Sequence, residues 1–203
     1  MKNKIGILVV ASGLAAAGAA QAAGIGVRAG TTGLGADVAW GIAPTLSARV
    51  GYSALTWSRD VETDAVDYDG KLKLSNLNGM VDFHPLGPIF RITGGVILNN
   101  NKYDLRAARS AGTLIGTVES GRSAAPYLGI GWGTVAGAGI NFYADLGIMF
   151  MGSPKATLRA NCAPSAGCTA LQNEAAAEER RLEDELKRFK HYPVLNIGLT
   201  VGF

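Results

Sequence analysis

The chain ends in Tyr192-Pro-Val-Leu-Asn-Ile-Gly-Leu-Thr-Val-Gly-Phe203, in which every second residue is apolar. Counted back from the terminus, the apolar set is Phe203, Val201, Leu199, Ile197 and Leu195, and the residues between are small or polar apart from Val194. Successive side chains of a β-strand point to opposite faces, so this stretch predicts a strand with one apolar and one hydrophilic face. Such a strand fits a soluble β-sandwich, and it also fits a membrane-spanning barrel, whose lipid-facing and lumen-facing residues alternate.

The same two-residue period recurs upstream and predicts seven further strands, at 25–30, 34–42, 46–54, 77–83, 90–98, 127–133 and 140–150. Residues 71–75 are out of phase with the strand that follows them, which indicates a bulge or a strand rising beyond the membrane. Counted in chain order, the third, fifth and seventh connections, at about 58–69, 100–123 and 152–190, are long. The first connection and the second, fourth and sixth are short. Outer-membrane barrels separate short periplasmic turns from long outer loops in this way, whereas a soluble sandwich has no reason to do so. The sequence therefore predicts an all-β fold, an eight-stranded antiparallel up-and-down transmembrane β-barrel.

Residues 1–22 are predicted to be a secretory signal peptide. Lys2 and Lys4 precede an uncharged run that ends in Ala20-Gln21-Ala22, the small-residue pattern of a cleavage site. A membrane-anchoring helix is the competing interpretation of this run. Loss of the two lysines would lower the formal net charge from +3 by two units. Residues 23–203, the predicted barrel domain, would then be nearly neutral, which gives no reason to expect a nucleic-acid partner.

Six aromatic residues are predicted to face outward within a few residues of the short turns or the C-terminus. Each of them alone would more often belong to an ordinary core, but six at one level favour an aromatic girdle at a membrane interface. They are Trp40, Phe83, Phe90, Trp132, Phe142 and Phe203.

The inward positions carry charges of both signs. A two-residue turn at Thr32-Gly33 would pair Arg28 with Asp37, and a four-residue turn at 85–88 would pair Asp82 with Arg91. Opposite charges across a strand pair attract each other, and a charge removed from bulk water needs a partner. With two further inward charges, the predicted polar network of the lumen comprises Arg28, Asp37, Arg49, Asp82, Arg91 and Asp145.

An eight-stranded barrel is only wide enough for its side chains to fill it or to hold one small ligand. One interpretation of the inward polar residues is a hydrogen-bonded plug that holds the wall together. The other is a narrow conduit or ligand cavity, which the inward glycines favour because they leave space in the lumen.

The longest connection, 152–190, contains the two cysteines of the chain and a charged segment. In an exported protein Cys162 and Cys168 are expected to form a disulfide. Metal binding would need further ligands, and the two histidines, His84 and His191, are far from the cysteines in sequence. Residues 171–190 are predicted to form a helix in this last extracellular loop, supported by favourable i,i+4 pairs such as Glu183 with Lys187. The helix is either a solvated extension of the wall or a surface for a partner.

No catalytic motif is recognisable, so we expect no catalytic, cofactor-binding or metal-binding residues and no cofactor. A Ser/His/acid triad needs a histidine within reach of a serine, and the two histidines, His84 and His191, lie at opposite ends of the predicted barrel. The His-x-Ser-Asn motif of lipid A deacylase barrels, nucleotide-binding glycine motifs and zinc spacings are all missing from the sequence. A lipid-modifying enzyme of the outer membrane is therefore a remote alternative.

In architecture the sequence resembles the small outer-membrane barrels of the OmpA, OmpX and OmpW kind. Four stretches also resemble a group of proteobacterial outer-membrane barrels, namely Asp67-Tyr-Asp-Gly70, Ala125-Pro-Tyr-Leu-Gly-Ile-Gly-Trp-Gly133, Phe142-Tyr-Ala-Asp-Leu-Gly147 and Tyr192-Pro-Val194. The resemblance implies residence in the outer membrane, contact with its lipid, and recognition of the C-terminal strand by the outer-membrane assembly machinery. It implies no functional residue. A non-catalytic barrel acting in envelope integrity or surface contact is expected, with a narrow channel for passive uptake of small solutes, similar to OmpW-type porins, as the alternative.

Overall fold

The structure of the protein is a computed structural model that describes residues 22–62, 67–109 and 111–203. The predicted signal peptide, residues 1–22, lies outside the described residues except for Ala22. The described residues form eleven strands and one helix. In chain order these are β1 (Ala23–Gly30), β2 (Gly33–Ala43), β3 (Leu46–Glu62), β4 (Asp67–Phe83), β5 (Phe90–Asn99), β6 (Lys102–Arg109), β7 (Gly112–Glu119), β8 (Ala124–Trp132), β9 (Gly139–Met149), β10 (Lys155–Asn161), α1 (Ala166–Leu186) and β11 (Tyr192–Gly202).

Eight of these strands close into a ring in the order β1, β2, β3, β4, β5, β8, β9 and β11, with every neighbouring pair antiparallel. The pairing of β1 with β11 and that of β4 with β5 leave no open edge in the ring. The antiparallel barrel of eight strands is thus present. We call its two ends the short-turn end, where β2 meets β3, and the long-loop end, where β3 meets β4.

The predicted total of eight strands is wrong, because β6, β7 and β10 extend the sheet beyond the ring at the long-loop end. The partner of β4 changes from β5 to β6 along one continuous register, from Asn76 opposite Asn99 to Lys73 opposite Lys102. Most of the predicted loop at 100–123 is therefore strand, and so is the segment Lys155–Asn161 of the predicted loop at 152–190. β6 and β7 are paired on both sides, and β10 lies at the edge of the sheet and pairs with β7 alone.

The predicted loop at 58–69 is likewise mostly strand. β3 and β4 pair without interruption from Leu46 opposite Phe83 to Glu62 opposite Asp67, so there is no bulge in this hairpin. The phase difference near residues 71–75 fits the other interpretation in that β4 continues beyond the ring, and the polarity of its two faces reverses near the pair Ala54 and Ser75. On β4 beyond this pair the inward residues Leu74 and Leu72 are apolar and the outward residues Lys73 and Lys71 are charged, the reverse of the pattern in the ring.

Both predicted hairpin registers are wrong by two residues. In the first hairpin Gly30 lies opposite Gly33, so the turn is Thr31-Thr32 and Arg28 faces Gly35 rather than Asp37. Because Gly33 is the first residue of β2, it belongs to the sheet and not to the turn.

In the second hairpin Asp82 lies opposite Thr93 rather than Arg91. The turn between β4 and β5 is longer than predicted because Pro85 and Pro88 have no N–H to contribute to a sheet. The backbone N–H of His84, the residue between β4 and Pro85, donates a hydrogen bond of 2.8 Å to the carbonyl of Thr45.

The helix begins and ends earlier than the predicted range of 171–190. It begins at Ala166 because the Ser165 hydroxyl accepts a hydrogen bond from the backbone N–H of Cys168 at 3.1 Å, which caps the first turn. Cys162 and Cys168 form a disulfide that joins the end of β10 to this turn. No helix in the described part of the chain is long and apolar enough to cross a membrane.

Candidate functional site

The interior of the ring contains a closed circuit of two arginines and two aspartates. Arg49 Nη1 lies 2.7 Å from Asp145 Oδ2, and Asp145 Oδ1 lies 2.7 Å from Arg91 Nη2. Asp82 completes the circuit, since its carboxylate is 3.2 Å from Arg49 Nε and 3.5 Å from Arg91 Nε. The Thr93 hydroxyl donates a further hydrogen bond of 2.5 Å to Asp82. Each charge in this buried circuit therefore faces two of opposite sign.

A second ion pair lies beside the circuit. Arg28 Nη1 is 2.9 Å from Asp37 Oδ1, and Arg28 Nη2 donates to Asn78 Oδ1 at 2.6 Å. The hydroxyl of Tyr143 donates to Asp37 Oδ2 at 2.6 Å. The guanidinium carbons of two circuit arginines, Arg49 and Arg91, lie 5.5 and 5.2 Å from the centre of the Tyr143 ring, within range of a cation–π interaction.

Tyr143 thus connects the ion pair to the circuit. All six residues of the predicted lumen network are buried, four of them in the circuit and two in the ion pair, and their three positive and three negative charges balance. The sequence carried no signal for the central position of Tyr143, because that position depends on contacts across the barrel.

An apolar layer lies above the charges, on the side of the long-loop end. It comprises Met80, Ile97, Ala125, Tyr127, Met149 and Val194, all of them buried. These are inward-facing residues of five strands, and on β4, β5 and β9 they are closer to the long-loop end than the inward charged residue of the same strand. The interior therefore has a charged layer and an apolar layer, and the buried Asn76 and Asn78 lie beside the apolar one.

The space left by inward glycines is filled by large side chains from neighbouring strands. A Cβ added to Gly131 would meet the Arg91 guanidinium, and one added to Gly198 would meet the Tyr143 ring. The interior cavity between the two layers has a volume of about 10 Å³. This is about the volume needed to hold one water molecule.

A buried serine–histidine contact lies at the short-turn end, where Ser47 Oγ is 3.1 Å from His84 Nε2. Burial lowers the pKa of His84 below its ordinary value of 6.5, and the opposing effect of nearby Asp82 is smaller. Within the described residues, His84 Nδ1 has no hydrogen-bond partner. This contact joins β3 to the turn that follows β4, between residues 37 positions apart, and the sequence alone carried no signal for it.

The six residues of the predicted aromatic girdle lie near the short-turn end. Five of them are exposed, and Phe90 is partly buried by Trp132, with their ring centres 6.3 Å apart in an edge-to-face arrangement. Phe203 follows β11, and its backbone exchanges two hydrogen bonds with Ala23.

At the long-loop end, α1 packs on the inner face of the sheet extension formed by β6, β7 and β10. The backbone N–H of Leu158 in β10 donates to Glu179 of the helix at 2.7 Å, which fixes the helix on the sheet. The outer face carries exposed ion pairs such as Lys73 with Asp104 at 2.7 Å, and the hydrogen bond from Lys73 lowers the pKa of Asp104. No group of three or more potential metal ligands occurs among the residues that the structure describes.

Comparison with known proteins finds chains of similar structure. No family model matches the sequence, and no curated protein matches it either. The crystal structure of Acinetobacter baumannii CarO2 superimposes with a TM-score of 0.62 at 19% identity, covering 90% of this chain and 98% of CarO2. That of CarO from the same organism gives a TM-score of 0.62 at 21% identity, with 89% and 97% covered. The chain has the fold of the CarO proteins. Identities this low establish a shared fold and nothing more.

Proposed function

We propose that the protein is an integral barrel of the outer membrane, with the short-turn end in the periplasm and the long-loop end outside the cell. Large apolar side chains are exposed around the outer face of the ring, including Phe142 at 73% and Ile197 at 62%. A continuous apolar surface of this extent would be a liability in water and is what a lipid environment requires. The aromatic girdle then lies at the periplasmic interface, and β11 is the strand offered to the assembly machinery.

The reversal of polarity between the inner and outer faces at Ala54 and Ser75 supports an outer boundary of the hydrocarbon region at this level. On β4 the outward residues change from Val81 and Leu77 to Lys73 and Lys71 on passing this pair. A charged residue facing lipid is costly near the middle of the bilayer and much less so at its edges. The sheet extension and α1 therefore lie outside the membrane in this proposal.

We further propose that the barrel is closed and non-catalytic and that it acts through its wall and its extracellular surface, in envelope integrity or surface contact. The filled interior is the observation that carries this proposal, since the charged layer and the apolar layer leave room for about one water molecule. The Ser47–His84 contact does not favour catalysis. A triad histidine is oriented by a third group at its other ring nitrogen, and among the described residues His84 has no such group.

Single-channel recording in planar bilayers tests the closed barrel against the channel alternative. We expect flat current traces at every applied potential for the purified, folded protein. Discrete conductance steps that change when Arg28, Arg49 or Arg91 is neutralised would overturn the proposal in favour of a narrow channel.

A variant in which a short linker replaces residues 152–190 shows where the closure lies. Met149 and Tyr192 are directly opposite each other across β9 and β11, so a few residues are enough to reconnect these strands. We expect this variant to remain non-conducting, because the charged layer and the apolar layer both belong to the ring and not to the loop. Conductance that appears only after the deletion would mean that the loop closes an otherwise open pore.

A further inference from the structure

The inner face of the sheet extension and α1 together form a groove of about 530 Å³. No residue of the charged layer or the apolar layer lines this groove. Its floor is apolar and includes Leu105 of β6, Leu114 and Val118 of β7 and Leu158 of β10. The volume lies within the range of sites for small molecules, which are mostly apolar with a few well-placed polar groups.

Two carboxylates border this apolar floor. Glu174 and Glu178 are one helical turn apart on α1, so both side chains point to the same side of the helix. Tyr103 also lines the groove and is 42% exposed, so one side of its ring is accessible. Carboxylates and an accessible aromatic ring that line one groove form an environment suited to an ammonium group.

The positive charges of the same sheet lie on its other face. Lys102 and Arg106 alternate along β6 with the groove-lining residues, as Lys155 and Arg159 do along β10, and the side chains of alternate residues point away from the groove. Among the described residues, no lysine or arginine lines the groove, and neither Glu174 nor Glu178 forms an ion pair. The groove therefore has negative charge at its border and no positive charge to balance it.

We propose that this groove binds a small lipophilic cation, an ammonium group attached to an aromatic or short aliphatic body. The body lies on the leucine and valine floor, and the ammonium group lies between the two glutamates and the Tyr103 ring. The proposal rests on the proposed function, since it assigns a ligand class to the surface through which the closed barrel acts.

Binding of three matched probes to the protein in lipid nanodiscs tests the proposal. The probes are 4-phenylbutylammonium, 4-phenylbutanol and 4-phenylbutyrate, which share one apolar body and differ in the charge of the head group. Titration calorimetry with protein-free nanodiscs as the blank removes the contribution of partition into lipid. We expect the ammonium compound to bind at least about tenfold more tightly than the alcohol, and the carboxylate to bind more weakly than both.

Two double variants separate the groove from the overall charge of the helix. Glu174→Gln with Glu178→Gln removes both groove carboxylates, and we expect it to abolish the preference for the ammonium compound while leaving binding of the alcohol unchanged. Asp184→Asn with Glu185→Gln removes two charges from the same helix outside the groove, and we expect it to change affinity by less than about twofold.

Equal affinity for the ammonium compound and the alcohol would overturn the proposal, as would an ammonium preference that survives the Glu174→Gln/Glu178→Gln change. Preference for the carboxylate would overturn it too. The bilayer experiment is independent of these outcomes. A protein that conducts but binds the ammonium compound in the groove refutes the closed barrel alone, and one that neither conducts nor binds refutes the ligand assignment alone.

Discussion

Neutralising Asp145 measures how much the buried charge circuit contributes to the stability of the barrel. Its two carboxylate oxygens each accept a 2.7 Å contact, one from Arg49 and one from Arg91. In Asp145→Asn the amide still offers one oxygen, but its NH₂ group faces an arginine donor. Two buried guanidinium groups then share the single carboxylate of Asp82. Removing one member of a buried ion pair typically costs about 3–5 kcal/mol, and we expect a loss in that range.

The exposed pair of Lys73 and Asp104 provides a matched control. Its contact distance is also 2.7 Å, but its side chains are 44% and 32% exposed rather than buried. We expect Asp104→Asn to cost no more than about 1 kcal/mol, because water and salt screen an exposed pair. Both free energies are measured by unfolding the barrel in lipid vesicles with denaturant and monitoring tryptophan fluorescence. The comparison requires that the unfolding free energy of each variant falls with denaturant concentration at the same slope.

A double-mutant cycle then isolates the interaction of Asp145 with Arg91. Adding Arg91→Gln to Asp145→Asn restores charge balance in the interior, so we expect the double variant to be more stable than the sum of the single effects by about 1–3 kcal/mol. Similar losses for Asp145→Asn and Asp104→Asn, or strictly additive effects in the cycle, would refute the reasoning that burial makes the circuit costly to break.

Two further predictions concern single positions. An added Cβ at Gly51 would meet the carboxylate of Asp37, whereas one at Gly79 on the outer face would meet nothing within 4 Å. We expect Gly51→Ala to cost about 1–3 kcal/mol of unfolding free energy and Gly79→Ala to be neutral or slightly stabilising, and equal effects in the same unfolding assay would contradict this packing. For His84 the pKa is lowered in the folded state, so the unfolded chain binds more protons as the pH falls through about 6.5. Between pH of about 7.5 and 5.5 the protein should therefore lose stability relative to a His84→Gln variant, and a relative gain on acidification would show that the sign is wrong.

The ion pairs of the lumen were predictable even though the strand registers used to predict them were not. Arg28 lies opposite Gly35 instead of Asp37, yet the Arg28–Asp37 pair forms at 2.9 Å. A diagonal neighbour on an adjacent strand is about 7–8 Å away between backbones, which is within reach of a long side chain. The pattern of inward charges therefore survives an error of two residues, because arginine is long enough to compensate for it.

The sheet extension was missed because the expected pattern had the wrong phase. Leu72 and Leu74 alternate with lysines as regularly as the ring strands alternate, but with the apolar residues inward. The same holds for Tyr103 and Leu105 of β6, in a segment predicted to be a loop. Outside a membrane the outer face of a sheet meets water and its inner face can be covered by a helix. The alternation therefore continues, but the apolar residues are on the inner face and the polar residues on the outer face. A search for period-two patterns in either phase would have found these strands.

The filling of the barrel interior is the property that the sequence could not supply. Taken one position at a time, inward glycines such as Gly131 and Gly198 suggest open space, and the narrow-channel interpretation depended on them. In the structure each of these glycines faces a large side chain, Arg91 for the first and Tyr143 for the second. Whether an inward glycine leaves a void depends on which residue lies opposite it, and that follows from the stagger of the ring strands. An error of two residues in register exchanges those partners, so the size of the lumen depends on contacts between strands that no single strand's sequence contains.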